Sequence, residues 1–277
     1  MNQHFRLAML LLFTLSAGYS YAQSVRKIIE TPMQTIEPKW EQNTAGGSEL
    51  NYYNEDFCDY YIFQENDRSY NISPGKNTIF RIEQNSQVGD TFKNPSRYRY
   101  FRGQFPKDFQ VDRPYALPIK NGKEITWQID SQERMKTMNF IINKGDTIYA
   151  TRSGIACRTV LPQHLLIYHH DHTFAAYLMM SENFIVPGEQ IQVNQPIGIA
   201  GILGVSISYF FLDSNKFNAS GSIGYPYSHF TPIFRTAKGD LKLTEKTSYK
   251  AVIDDGLVMQ EMSKREQKKY LKQKNTK

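Results

Sequence analysis

Apolar and polar positions alternate with a period of two over much of this chain, and a helical stripe emerges only near its end. The densest apolar stretch, Leu165–Leu212, is also the longest without Lys or Arg. Within it, Leu165–Tyr168 and Phe174–Met180 are aromatic-rich runs that predict strands. Phe184–Val186 leads into a turn at Pro187-Gly188-Glu189. Ile191 and Val193 then alternate with Gln190, Gln192 and Asn194, as in a half-buried strand. Gly198, Gly201 and Gly204 recur at a regular spacing that suits backbone which curves or meets another strand closely. Ile207–Leu212 predicts a last, strongly apolar strand.

The flanking regions extend this reading. Residues 1–22 have the form of a secretory signal: Arg6, an apolar run Leu7–Leu15, then small residues around Ser20-Tyr21-Ala22. Residues 23–49 are polar, with Pro32, Pro38 and Gly46-Gly47, and read as a flexible lead-in with one short strand. Residues 50–112 are rich in Tyr and Phe, and Ser73-Pro74-Gly75-Lys76 marks a turn between Tyr70–Ile72 and Thr78–Ile82. Tyr98–Phe101 is a further strand. Short strands at this spacing predict an immunoglobulin-like sandwich. A second domain follows over 113–253, with Asn121-Gly122 as a hairpin signal between Ala116–Ile119 and Glu124–Ile129. Thr231–Arg235 and Leu241–Leu243 predict another hairpin around Ala237-Lys238-Gly239-Asp240. Residues 254–277 form a basic tail, helical from Gly256, with a partial stripe of Met259, Met262, Tyr270 and Leu271. The fold class expected is all-β with a short C-terminal helix.

Composition supports that class: 18 Tyr and 17 Phe in 277 residues suit sheets better than helix bundles. The formal charge of +6 does not describe the fold, because seven basic residues against one Glu lie between Lys264 and Lys277. Nucleic-acid binding is therefore not expected, nor is a membrane span once the signal is removed. The only two cysteines are Cys58 and Cys157. In an exported chain they are disulfide candidates that would staple one domain to the other, or else two small buried thiols.

One cluster has the look of chemistry. In His169-His170-Asp171-His172, His170 and His172 would share a face of a strand and could hold a metal given further ligands. A solvated turn is the plainer reading of the same residues. No Gly-x-Ser-x-Gly is present, and the glycine series lacks the following helix that a phosphate loop needs.

The ordered set His169, Tyr177, Val186, Gly188, Ile191, Gln195, Ile197, Gly198, Gly201 and Gly204 resembles the core of the lysostaphin/LytM-type zinc peptidases, which cut cell-wall cross-links. Asn143–Ala150 and Arg152-Ser153-Gly154 resemble the preceding part of that domain. The resemblance implies a LytM-like β domain with His169, Tyr177 and Tyr209 along its groove. It also locates the ligand and catalytic positions, and there the residues differ. The first ligand falls near Met135, Asn139 stands for an Asp, Met179 for a His, and Ser206 and Ser208 for the two His of the last motif. Ser, Met and Asn are poor zinc donors. The function expected is that of a secreted or periplasmic, non-catalytic protein of the cell envelope. It would bind peptidoglycan peptide or an envelope protein, with no cofactor. The alternative is a zinc-dependent endopeptidase with displaced ligands, His170 and His172 among them.

Overall fold

The computed structural model describes residues 28–29, 35–64, 68–84, 98–107, 109, 113–129, 137–216 and 225–274. The expected signal at 1–22 and the ligand position Met135 lie outside the described residues. The fold is all-β, closed by short helices at the C-terminal end.

Among the described residues six strands build the N-terminal part: β1 (Ile36–Gln42), β2 (Ser48–Asn54), β3 (Tyr60–Gln64), β4 (Arg68–Ile72), β5 (Gly75–Ile82) and β6 (Tyr98–Arg102). They form two antiparallel sheets, ordered β1-β2-β5 and β4-β3-β6. The Ser73-Pro74 turn therefore does not close a hairpin. It carries the chain from one sheet to the other, since β4 pairs with β3 and β5 with β2. Facing side chains make a sandwich: Tyr52 meets Tyr98 edge to face, with ring centroids 5.7 Å apart.

β1 is the short strand expected within the lead-in, and it pairs with β2 from Ile36↔Asn54 to Gln42↔Ser48. Its sequence IEPKWEQ is largely polar. An edge strand needs little apolar surface, and Pro38 and Lys39 guard its free side. The Asn43 side chain closes the β1–β2 turn by accepting from Ala45 N and Gly47 N at 3.0 and 2.8 Å.

The second part continues with β7 (Pro114–Tyr115), β8 (Glu124–Ile129), β9 (Thr137–Ile141), β10 (Thr147–Tyr149), β11 (Gly154–Cys157) and β12 (Leu165–Tyr168). Next come β13 (Thr173–Leu178), β14 (Met180–Asn183), β15 (Gln190–Ile191), β16 (Pro196–Ala200) and β17 (Val205–Leu212). The last strands are β18 (Tyr227–His229), β19 (Ile233–Thr236), β20 (Gly239–Leu241) and β21 (Tyr249–Lys250). Among the described residues the main sheet has nine strands, ordered β15-β11-β12-β13-β17-β9-β8-β21, with β18 also on β17. Smaller sheets, β10-β16-β14 and β20-β19-β7, complete this part.

The expected strand over 190–194 shrinks to β15, because Asn194 takes a left-handed φ of 62° and turns the chain. The expected hairpin at Asn121-Gly122 has only its second arm, β8, which pairs with β9 and β21. Ala116–Ile119 is buried but irregular. The hairpin around Ala237-Lys238 forms as expected, joining β19 to β20. The terminal helix is two pieces, α1 (Asp255–Met259) and α2 (Lys264–Lys274). Asp254 caps α1 by accepting from Leu257 N at 2.7 Å. No helix among the described residues is long and apolar enough to cross a membrane.

The glycine series does what its spacing suggests. A Cβ on Gly201 would stand 2.3 Å from the Met179 carbonyl oxygen, and one on Gly204 would stand 2.1 Å from that of Phe140. Gly204 also holds a φ of 85°.

Strand alternation divides two cores. Along β17, Val205, Ile207 and Tyr209 enter the core between the main sheet and the smaller sheets. Phe210 and Leu212 enter a second core, shared with Leu50, Tyr52, Tyr60, Ile62 and Ile72 of the sandwich. The sandwich is thus a further layer on the main sheet. Phe174 and Phe210 stack at its base, with centroids 5.0 Å apart and planes 9° from parallel. Burial of each such ring contributes about 1.5–3 kcal/mol.

Candidate functional site

Four residues expected at ligand positions meet on one face of the main sheet. Asn139 on β9 lies opposite Ser206 on β17, and Ser206 lies opposite Leu178 on β13. The next residue, Met179, has a left-handed φ of 66°. That kink breaks the alternation, so Leu178 and Met179 both pack toward the sandwich core while Tyr177 and Met180 face the other core. Met179 thereby reaches Ser206, whose hydroxyl donates to Sδ at 2.9 Å. Ser208 follows two residues on, with the same facing as Ser206, and lies opposite Thr137.

Ser208 has a partner that sequence reasoning missed. Its Oγ is 3.0 Å from His229 Nδ1, and His229 Nε2 is 2.8 Å from the Tyr225 hydroxyl. The Tyr225 and His229 rings stack with centroids 5.8 Å apart. Pairing of β18 with β17 brings His229 there, opposite Phe210. Spacing along the chain carries no trace of that pairing, and the only hint was the alternation Tyr225, Tyr227, His229. Ser208 itself is fully buried, and Asn139 Oδ1 is buried without a hydrogen-bond partner among the described residues.

The chemistry of this set can be tested against zinc. Asn139, Met179, Ser206 and Ser208 offer an amide, a thioether and two hydroxyls. Zn²⁺ sites are built from thiolate, imidazole and carboxylate. The residues present do not fit the ion. The nearby His229 would be one imidazole donor, already engaged with Ser208 and Tyr225.

The groove candidates are placed differently from the expectation. Tyr177 and Tyr209 point into the core between the main sheet and the smaller sheets, and both are fully buried. Their facing is opposite to that of Ser206 and Ser208, as strand parity requires. Their hydroxyls converge on Thr151 Oγ1, at 2.8 Å from Tyr177 and 3.3 Å from Tyr209. Burial pushes the Tyr177 phenol up to about 12 against those hydrogen bonds.

His169 is also buried rather than groove-lining. Its Nδ1–H donates a hydrogen bond to the Ser153 carbonyl oxygen at 2.7 Å, and Nε2 has no partner among the described residues. Burial, then the Arg152 charge, lower its pKa to about 4 against the opposing pull of Asp171 and Glu261. His170 is exposed in the turn, whereas His172, at φ 66°, turns to the sandwich. There its Nδ1 lies 2.5 Å from the Tyr168 hydroxyl and 3.5 Å from Asp59. The cluster is a turn, and its imidazoles diverge. Among the described residues no histidine belongs to a group of three potential ligands close enough to share an ion.

Asp171 serves the buried Arg152, accepting from Nη1 at 2.8 Å. Arg152 also donates to Glu261 and to the Tyr115 hydroxyl. Burial would raise the Asp171 carboxyl, but Arg152, His169 and Thr173 together hold it below the ordinary range. This network ties the histidine turn, the segment before β8 and the C-terminal helices together.

An apolar rim borders the ligand-position cluster. Ile141, on the Asn139 face of β9, is 53 % exposed. Ile202 and Leu203, at the tip held by Gly201 and Gly204, are 79 % and 57 % exposed. Cys58 and Cys157, from different layers, are buried close together. No protein-family model matches this chain, and a search of curated proteins returns no significant match.

Proposed function

We propose that this chain is an exported, non-catalytic protein of LytM-like architecture that binds cell-wall peptide beside the former ligand positions, with an envelope protein as the other partner to be tested. One observation carries the reading. The positions that the resemblance assigns to zinc ligands come together on one sheet face, yet Asn139, Met179, Ser206 and Ser208 make no zinc donor set. A cluster of that kind is what remains when the frame of a metal site persists without its donors. The resemblance is an analogy at the level of fold, so the activity is argued from the site.

The adjoining surface favours binding. Ile141, Ile202 and Leu203 expose apolar side chains at the margin of the cluster. Solvent-facing aliphatic groups gathered at one place suit a peptide or protein contact. Purified isolated peptidoglycan sacculi test this directly. Saturable binding is expected, and the double variant Ile202→Asp, Leu203→Asp should weaken it about tenfold. Absence of binding by the unaltered chain would remove peptidoglycan and leave the envelope protein as partner.

A further inference from the structure

The core shared by the sandwich and the main sheet contains both cysteines of the chain. Cys58 lies in the loop between β2 and β3, and Cys157 ends β11. Both are unbonded and buried, at 0 % and 2 % exposure. Their sulfurs and an Asp56 carboxylate oxygen all lie within 4.8 Å of one another. Residues 99 positions apart in the chain are thus in contact across two layers.

We propose that Cys58 and Cys157 form a disulfide that locks the sandwich onto the main sheet. The loop carrying Cys58 is already fastened to the segment after β11. Arg158 N donates to Asp56 Oδ1 at 2.8 Å, and Arg158 Nε donates to the Glu55 carbonyl at 2.9 Å. Arg102 Nη1 donates to the Arg158 carbonyl at 3.0 Å. These bonds hold the two cysteine-bearing segments against each other, with the sulfurs within 4.8 Å.

A metal is the rival use of this cluster, and the surroundings oppose it. Asp56 already accepts from Phe57 N, Arg158 N, the Tyr60 hydroxyl and the Cys58 thiol. The buried Arg102 guanidinium lies 3.3 Å from its Oδ2. A dication would face that fixed positive charge with three protein donors at most. Disulfide formation removes only the two weak thiol donors, Cys58 to Asp56 at 3.5 Å and Cys157 to the Ile155 carbonyl at 3.9 Å, and leaves the other bonds to Asp56 intact.

The chemistry balances with a low-molecular-weight disulfide as oxidant. One cysteine thiolate attacks the oxidant, forming a mixed disulfide and releasing one thiol. The second cysteine thiolate attacks the cysteine sulfur of that mixed disulfide and releases the other thiol. Two protein thiols are oxidised, the oxidant is reduced to two thiols, and these carry the two protons. Burial, and then the neighbouring Cys157 thiol, hold the Cys58 thiol well above its ordinary range. The folded thiol is therefore a poor nucleophile, and the bond forms before the layers close.

The test uses the full chain, unfolded with reductant and refolded in a mixture of reduced and oxidised glutathione. The product is denatured, alkylated and weighed. The expected result is no alkylated cysteine and a non-reducing peptide map joining Cys58 to Cys157. Reduction of that product should lower its melting temperature by on the order of 10 °C. Cys58→Ser and Cys157→Ser variants should each keep one alkylatable thiol and lose the melting shift. Two alkylated cysteines in refolded protein, or a stable glutathione adduct, would overturn the proposal. So would stoichiometric zinc released on alkylation, which would assign the cluster to a metal.

Discussion

At the residue scale, Arg152 shows how a matched motif can be structural. It is 1 % exposed and answers Asp171, Glu261 and the Tyr115 hydroxyl from three parts of the chain. Removing it leaves Asp171 without its cation and Glu261 with only the part-exposed Arg113, so Arg152→Met should cost about 3–5 kcal/mol, read from urea unfolding. A loss below about 1 kcal/mol would mean the network is not a tie. His169 makes a prediction with a definite sign. Its pKa is lowered by burial and Arg152 to about 4, below the unfolded 6.5, so the folded chain prefers the neutral ring. Its contribution is complete above the unfolded value and is lost as pH falls through about 4. That loss is on the order of 3 kcal/mol for a fully buried ring. Asp171, also lowered, adds a loss of the same sign at more acid pH, and Arg152 and Glu261 face the same space. His169→Gln should flatten the stability profile between pH 6.5 and about 4. An unchanged profile would place the titration elsewhere.

At the element scale, the glycine tip determines where the candidate surface stands. Gly204 needs both a left-handed backbone and room against Phe140, because a Cβ would lie 2.1 Å from that carbonyl oxygen. Gly204→Ala should cost about 2–4 kcal/mol in denaturant unfolding. A neutral substitution would show that the turn relaxes. The central strands were legible in the sequence because Leu165–Tyr168 and Ile207–Leu212 are apolar on both faces, as strands covered on both sides must be. β1 was legible only as a short strand without bounds in the polar lead-in, since an edge strand carries little apolar signature. The expected hairpin at Asn121-Gly122 failed for the complementary reason. A turn signal is local, but whether its arms pair depends on neighbours distant in sequence. The same limit hid His229. Asn139, Met179 and Ser206 could be placed from the order of residues along the chain, whereas the Ser208–His229 contact exists only through the β17–β18 ladder. Parity explains the error over Tyr177 and Tyr209. The kink at Met179 turns it away from the side that Tyr177 faces, and unbroken alternation along β17 sets Tyr209 opposite to Ser206 and Ser208, which a residue-by-residue resemblance does not register.

At the scale of the whole molecule, the sandwich and the main sheet share one core through Phe174, Phe210, Leu212 and Tyr227. The polar seam repeats that joining, with the Tyr168 hydroxyl donating to Asp59 at 2.8 Å and the Tyr227 hydroxyl donating to the Arg102 carbonyl at 3.2 Å. Layers joined in this way should melt together. Calorimetry of the full chain is expected to give one transition whose calorimetric and van't Hoff enthalpies agree. Two resolved transitions would show the layers to be independent. The account's central claim, however, concerns the sheet face that the sandwich borders. Asn139, Met179, Ser206 and Ser208, which the resemblance assigns to ligand positions, lack zinc-donor chemistry, so on the proposed reading the protein should carry no zinc of its own. Elemental analysis of the purified full chain, offered zinc and then freed of excess, tests this most directly. The account predicts no stoichiometric zinc. About one zinc per chain, retained in the Cys58→Ser variant, would contradict it.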